Sequence, residues 1–129
     1  MSAAGCIVYC KGLVLLARRI EGENVPYSGY WSIFAGSREP PSEPPTICAI
    51  RELEEETGIK IKTNDLILAR SLYSKGKIFD IFYTEFDDFP IVNLNFEHTE
   101  YGWFDISNLK SFPYLIDDKI VDIVMSNEP

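Results

Sequence analysis

The chain has 129 residues, of which 46% are apolar and 25% are charged, and its formal net charge is -8 at pH 7. This length suits one hydrophobic core, so we expect a single domain over residues 1–129. The negative charge disfavours binding to a nucleic-acid duplex or to an anionic membrane, because both draw on clustered Lys and Arg. A small-molecule ligand is therefore the expected partner.

The sequence carries no targeting or disulfide pattern. No apolar run approaches the roughly 20 residues of a membrane-spanning helix, and the first residues lack the basic and apolar segments of a secretory signal. These features predict a cytoplasmic protein. Cys6, Cys10 and Cys48 form no CxxC pair, which favours reduced, buried thiols. His98 is the single histidine, and no nucleophile pattern accompanies it.

The first part of the chain predicts a β-hairpin. Its strands are residues 6–10 and 13–19, joined by a tight turn at Lys11-Gly12. The second strand ends in Arg18 and Arg19, which are either solvated edge residues or a clamp for phosphate oxygens. Side chains alternate along a strand, so we expect only one of the two arginines to face a site.

A polar, turn-rich loop over residues 21–29 precedes a strand predicted at residues 30–35. Tyr27 and Tyr30 flank the end of this loop. They either cover the core or stack on a nucleobase, because loops on a rigid scaffold often carry recognition.

A helix is predicted after the loop at residues 36–43. Pro44-Pro45 suits its first turn, Ser42 or Glu43 could supply the N-cap, and Gly58 suits the left-handed residue that ends a helix. An apolar stripe is expected to dock this helix on the core, and its members are Ile47, Ile50, Leu53 and Thr57.

Glu52, Glu55 and Glu56 share the other face of the predicted helix, since successive residues are about 100° apart. Like charges at this spacing repel each other and weaken a helix. A hard divalent cation such as Mg²⁺ would reverse that repulsion, because it prefers carboxylate and phosphate oxygens as ligands.

The second half of the chain predicts more strands and a closing amphipathic helix. Residues 97–100 are expected to form a polar connection, and Asp105 or Ser107 to cap a helical turn. Strands and helices do not alternate regularly, which favours an α+β sandwich with a mixed sheet between helices. The predicted strands are residues 66–73, 78–86, 91–96 and 101–104, and the predicted helical segments are residues 106–110 and 114–125.

The acidic helix resembles the Nudix box. From Glu43, seven residues lead to Arg51-Glu52-Leu53, and single residues then separate this group from Glu55-Glu56 and from Gly58-Ile59. The pattern departs from the family at its first position, where Ser37 stands in place of the box glycine and Gly36 lies one residue earlier.

The resemblance implies the Nudix α/β/α sandwich and hydrolysis of a phosphoanhydride bond in a nucleotide derivative with Mg²⁺ or Mn²⁺. Carried over by position, Glu55 and Glu56 are the implied principal metal ligands. Glu52 is implied as a further ligand or as the general base, and Arg51 as the residue that orients Glu55.

The resemblance also implies roles for residues near these glutamates. Glu43 would support the ligands without touching the metal, and the carbonyl of Gly36 would add one ligand. Relatives draw the general base from the box helix or from a later loop, where Glu97 and Glu100 are the candidates; solvated loop charges are the alternative. His98 is expected to be a hydrogen-bonding loop residue.

The compact chain most resembles the MutT-like group, which implies a nucleoside triphosphate pyrophosphatase. Tyr27, Tyr30 and Phe79 are the aromatic candidates for binding the base. The alternatives are hydrolysis of dinucleoside polyphosphates or nucleotide sugars, a nucleotide-binding regulator without hydrolase activity, and an acidic interaction domain. A homodimer is compatible with each of these.

Overall fold

A seven-stranded mixed sheet lies between two α-helices in the computed structural model, which describes residues 2–129. Two short 3-10 helices span Thr63–Asp65 and Ile106–Ser111. The strands are β1 (Ala3–Cys10), β2 (Leu13–Arg19), β3 (Trp31–Ser32), β4 (Phe34–Ser37), β5 (Ile67–Ser74), β6 (Lys77–Phe86) and β7 (His98–Asp105), and the helices are α1 (Pro45–Thr57) and α2 (Asp118–Ser126).

Strand β1 is the centre of the sheet. It runs parallel to β6 on one side, and on the other it pairs antiparallel with β4 near its start and with β2 near its end. Strand β2 also pairs with β3 and β7, and β5 forms an antiparallel edge on β6. The predicted mixed sheet is confirmed.

The core is divided between the two faces of the sheet. Ile7 and Tyr9 of β1 pack in the cluster that contains the apolar face of α2, and the Tyr9 hydroxyl donates to the Val124 carbonyl at 2.6 Å. Cys6 and Val8 alternate with them and pack on the α1 side. This period-2 alternation places one helix on each face, as expected for the sandwich.

The predicted tight turns are present. Lys11 and Gly12 have φ angles of 52° and 78° between β1 and β2. Lys75 and Gly76, with φ angles of 50° and 77°, join β5 to β6 in the same way. Two successive left-handed residues match the twist of the strands they connect.

The strand predicted at residues 30–35 is two strands. β3 pairs with β2, whereas β4 pairs with β1, because the chain changes partner at Ile33. The strand predicted at residues 91–96 is wrong. Its backbone serves the end of α1 instead: the amides of Asn93 and Asn95 donate to the carbonyls of Thr57 and Glu56 at 2.8 and 3.2 Å.

The closing helix begins later than predicted, at Asp118. The Asp117 carboxylate accepts a hydrogen bond from the Lys119 amide at 2.8 Å, which caps the helix there. The residues before it are extended, and the Leu115 carbonyl accepts from the Trp31 amide. The predicted turn at residues 106–110 is confirmed, with Asp105 as its cap.

Helix α1 ends at Gly58 as predicted, with φ of 76°. Its N-cap is Pro44 and no side chain caps it, so the capping role expected of Ser42 or Glu43 is wrong. The expected docking stripe is also wrong in part, since Ile47 is exposed and Ile50 is half-buried. The buried residues of α1 are Cys48, Ala49, Glu52, Leu53, Glu56 and Thr57.

All three cysteines are buried and none forms a disulfide bond within residues 2–129, as expected. Within residues 2–129, neither helix has the length and apolar content that crossing a membrane requires.

Candidate functional site

Helix α1 turns two of its three clustered glutamates toward the sheet. Glu56 has no exposed surface and Glu52 is 7% exposed, whereas the Glu55 side chain is about half exposed. The predicted acidic face is therefore only partly exposed to solvent: Glu55 is accessible, whereas Glu52 and Glu56 are buried. Two of them occupy the face that also carries Leu53 and Thr57.

Gly36 on β4 makes room for this arrangement. A Cβ atom at Gly36 would lie 2.2 Å from Cδ of Glu52, so a side chain there would collide with the carboxyl group. Ser37, at the position of the box glycine, is exposed, and its carbonyl accepts from Arg51 Nη2 at 3.1 Å. The close approach that demands a glycine therefore falls on Gly36, and Ser37 is tolerated.

Arg51 contacts three carboxylates. Its Nε and Nη2 donate to the two oxygens of Glu43 at 2.9 Å each, and Nη1 donates to Glu52 and to Glu55 at 3.1 Å. The expected contact between Arg51 and Glu55 is thus present. The Arg51 hydrogen bonds, together with the amide of Glu39, lower the pKa of Glu43 to about 2.

Glu56 is the most unusual carboxyl group of the site. Within residues 2–129, neither of its oxygens accepts a hydrogen bond, and Oε1 lies 3.8 Å from Nε2 of His98. Burial and, to a smaller extent, the nearby charges of Glu97 and Glu52 raise the pKa of Glu56 to about 9. The positive charge of Arg19 opposes this rise.

His98 begins β7, and its imidazole is fully buried with its ring 5.3 Å from that of Phe34. Burial lowers the pKa of His98 to about 4. Neither ring nitrogen has a hydrogen-bond partner, so the expectation of a hydrogen-bonding loop residue is wrong on both counts. Three residues of the predicted polar connection, His98 to Glu100, belong to β7.

The two loop candidates for the general base lie in different surroundings. Glu97 is half-buried and close enough to raise the pKa values of Glu56 and Glu52. Glu100 lies opposite Arg18 on β2, and its carboxylate pairs with that arginine at 3.6 Å. The structure thus brings Glu97 to the carboxylates and leaves Glu100 in a surface ion pair.

The two arginines separate as strand alternation predicts. Arg18 bonds the Gly29 carbonyl and pairs with Glu21 and Glu100. Arg19 donates to the Pro26 carbonyl at 3.0 Å, and within residues 2–129 no acidic oxygen lies within the 4.0 Å ion-pair distance of its guanidinium.

A cavity of about 660 Å³ opens on the α2 side of the sheet. Arg19, Tyr27, Tyr30 and Phe79 line it, which brings together four of the predicted substrate-binding residues and leaves out Arg18. Gly36 and Ser37 also line it, so the cavity reaches the strand end beside the carboxylates. Sequence reasoning missed lining residues scattered over several elements, among them Trp31, Leu72, Tyr73, Lys77 and Lys119.

The donor set suits a hard divalent cation. Glu52, Glu55 and Glu56 offer carboxylate oxygens, and both Glu56 oxygens lack another partner. Within residues 2–129, no three acidic, His or Cys side chains are yet arranged so that they could hold one ion together. The residues fit such an ion in chemistry: Glu52 and Glu56 are both buried, and the carboxyl group of Glu52 lies against Gly36.

The fold is an α/β/α sandwich of the α+β class, with an acidic helix on one face of the sheet and a cavity that opens on the other. A family model described as NUDIX domain matches residues 1–122. The chain therefore belongs to the NUDIX family, as its acidic helix predicts.

Individual relatives agree with this assignment. A "Putative hydrolase 111R" of Invertebrate iridescent virus 3 is 33% identical over 104 residues, which cover 80% of this chain and 57% of that protein. The chain thus spans little more than half the length of this relative.

Two solved structures show the same fold. The MutT NUDIX hydrolase of Burkholderia pseudomallei has a TM-score of 0.76 at 21% identity, covering 99% of this chain and 97% of that chain. The NUDIX domain of Shewanella oneidensis NrtR, complexed with ADP ribose, has a TM-score of 0.76 at 13% identity, covering 100% and 88%.

Proposed function

We propose that the protein is a divalent-metal-dependent hydrolase of a phosphoanhydride bond in a nucleoside diphosphate or triphosphate derivative. The observation that carries the proposal is the buried Glu56 carboxyl group, unpaired on both oxygens, on a NUDIX helix whose neighbouring strand end lines the cavity. A purely structural helix gains nothing from burying an unpaired carboxyl group.

Glu55 and Glu56, with Glu52 as a third ligand, would hold Mg²⁺ or Mn²⁺, and the Gly36 carbonyl is a further candidate. When bound, the ion supplies Lewis-acid chemistry: it draws charge from phosphate oxygens and lowers the pKa of water. Arg51 orients Glu52 and Glu55 through its Nη1 hydrogen bonds, and Glu43 fixes Arg51 in turn.

The reaction transfers a phosphoryl group to water. The water oxygen forms a bond to one phosphorus, the bond from that phosphorus to the bridging oxygen breaks, and the water proton passes to a carboxylate oxygen of Glu52 or Glu97. Arg19 has no ion-pair partner among residues 2–129 and suits a phosphate oxygen, while Tyr27, Tyr30 and Phe79 suit the base.

The substrate class is tested with a panel of nucleoside triphosphates, dinucleoside polyphosphates, nucleotide sugars and ADP-ribose, each with Mg²⁺ or Mn²⁺. We expect metal-dependent turnover, with a nucleoside triphosphate preferred, and a kcat at least about 100-fold lower for Glu56→Gln. Absence of turnover on the whole panel contradicts the hydrolase proposal. Nucleotide binding without turnover supports the alternative, a NUDIX-fold regulator without hydrolase activity.

The proton acceptor is tested by three matched substitutions, Glu52→Gln, Glu97→Gln and Glu100→Gln. We expect a large loss of kcat for one of the first two. Glu100→Gln serves as the control, because its carboxylate pairs with Arg18. A loss confined to Glu100→Gln contradicts this assignment.

A further inference from the structure

Glu56 and His98 are two buried side chains with unpaired polar atoms that face each other. In the part of the chain that the structure describes, these two residues hold all four buried side-chain nitrogen or oxygen atoms that lack a hydrogen-bond partner. Buried polar groups are rarely left unpaired, so two such groups side by side call for an explanation.

The contact between them is fixed from both sides. His98 lies at the start of β7, with Phe34 against its ring, and Glu56 lies in the last turn of α1. Oε1 of Glu56 and Nε2 of His98 are 3.8 Å apart, outside hydrogen-bond distance but within reach of a small side-chain rotation. Both side chains are fully buried.

An ionised Glu56 needs a hydrogen-bond donor. A buried carboxylate without one is costly, and a carboxyl group must be ionised to bind a cation. Within residues 2–129, His98 is the one Lys, Arg or His residue with a nitrogen within 4.0 Å of the Glu56 carboxyl group. Arg19 on β2 lies opposite His98 on β7, but its guanidinium is more than 4.0 Å from the Glu56 carboxyl group.

We propose that His98 is a positioning residue for Glu56: Nε2–H of His98 donates to one carboxylate oxygen and thereby orients the other toward the bound cation. This inference rests on the proposed function in assigning a cation to Glu56. It extends that function, because it places a residue outside the acidic helix in control of cation affinity.

The experiment measures Mn²⁺ binding to substrate-free protein by the electron paramagnetic resonance signal of free Mn²⁺. His98→Phe keeps an aromatic ring against Phe34 but removes the donor, and His98→Gln keeps an N–H near the position of Nε2. We expect His98→Phe to weaken Mn²⁺ binding by about 10-fold or more, and His98→Gln to stay within about 3-fold of wild type. The melting temperature of each variant, measured in EDTA, verifies that it is folded.

A second measurement uses only the wild-type chain. On addition of Mg²⁺, we expect the Nε2 proton of His98 to become visible and slow to exchange in nitrogen-edited NMR spectra. No such proton at saturating Mg²⁺ overturns the proposal, and so does equal Mn²⁺ affinity of wild type and a folded His98→Phe. An equal loss in a folded His98→Gln, or no Mn²⁺ binding by wild type, overturns it as well.

Turnover is scored separately on the substrate panel. His98-dependent Mn²⁺ binding without any turnover contradicts the hydrolase proposal and supports the positioning role. If the wild type shows turnover and His98→Phe binds Mn²⁺ as tightly as the wild type, the hydrolase proposal stands and the positioning role is overturned.

Discussion

Burying the ionised form of Glu56 lowers the free energy of unfolding, and this effect can be measured as a dependence of stability on pH. Its pKa in the folded protein is about 9, above the ordinary 4.5, because burial disfavours the charged form. A raised carboxyl pKa contributes stability that is complete below about pH 4.5 and is lost as the pH rises toward 9. The metal-free protein should therefore weaken across the neutral range.

Glu56→Gln replaces this carboxyl group by a neutral amide. We expect its melting temperature in EDTA at pH 8 to exceed that of wild type, by about 4 °C for each kcal/mol gained, while kcat falls about 100-fold or more. Thermal melts at pH 5 and pH 8 measure the first effect. Glu54→Gln, an exposed site on the same helix, should change neither property. A lower melting temperature for Glu56→Gln at pH 8 contradicts the expectation.

Gly36 is the residue whose missing side chain admits Glu52. Gly36→Ala places a methyl group 2.2 Å from Cδ of Glu52, so we expect a loss of about 1–3 kcal/mol in the free energy of unfolding. Ser37→Ala, which creates the same residue at the exposed neighbouring position, should stay within about 0.5 kcal/mol of wild type. Urea denaturation compares the two variants. Equal losses would show that the close approach is not what requires glycine.

At the scale of elements, Arg51 and Glu43 tie the loop before α1 to the helix. The pKa of Glu43 is lowered to about 2, chiefly by its hydrogen bonds with Arg51. A lowered carboxyl pKa contributes stability that is present above about pH 4.5 and is lost as the pH falls toward 2.

Glu43→Gln should therefore destabilise the protein at pH 7 and lose less stability than wild type on acidification from pH 4.5 to pH 2. Urea denaturation at several pH values measures the slope of the free energy of unfolding against pH. Glu39→Gln is the matched control, because Glu39 contributes its backbone amide and not its exposed carboxylate. A Glu43→Gln slope as steep as that of wild type contradicts the assignment.

The elements that sequence predicts well are those with local causes. The Lys11-Gly12 turn, the end of α1 at Gly58 and the Asp105 cap depend on residues within a few positions of each other. The strand predicted at residues 91–96 fails because its backbone donors are taken by the distant end of α1. The start of α2 was placed too early because an apolar pattern does not reveal where Asp117 caps the helix.

In the candidate site, too, the features with local causes are predictable from the sequence and the others are not. The spacing of the glutamates identifies the acidic helix, and alternation predicts that one of Arg18 and Arg19 faces a site. The burial of Glu52 and Glu56 could not be predicted, because it depends on Gly36 and His98, which come from strands far apart in the chain. The predicted apolar stripe is right for Leu53 and Thr57, which are buried, and wrong for Ile47, which is exposed.

At the scale of the whole molecule, the cavity and the carboxylates lie on different faces of the sheet and meet at its edge. Most of the cavity is lined by residues on the face of the sheet that packs against α2, while Glu52 and Glu56 belong to α1. Arg19 lines the cavity, and its charge acts to lower the pKa of Glu56. A substrate that spans the edge would contact Arg19.

Arg19→Met and Arg18→Met test this geometry with the same change at adjacent positions. We expect Arg19→Met to lower kcat/KM about 10-fold or more by removing a charge-assisted contact. Arg18→Met should stay within about 3-fold, because exposed ion pairs such as those of Arg18 contribute little. Steady-state kinetics on the preferred substrate measure both. Equal losses would place the substrate elsewhere.

The hydrogen bonds from Asn93 and Asn95 to the last turn of α1 join two parts of the site that are far apart in sequence. Asn95 bonds the carbonyl of Glu56 itself, and its side chain accepts from the amide of Glu97. Local opening of the helix end therefore releases the loop as well, so the two act as one cooperative unit of unfolding. Glu56, the proposed cation ligand, and Glu97, a proposed proton acceptor, are then expected to be ordered and released together.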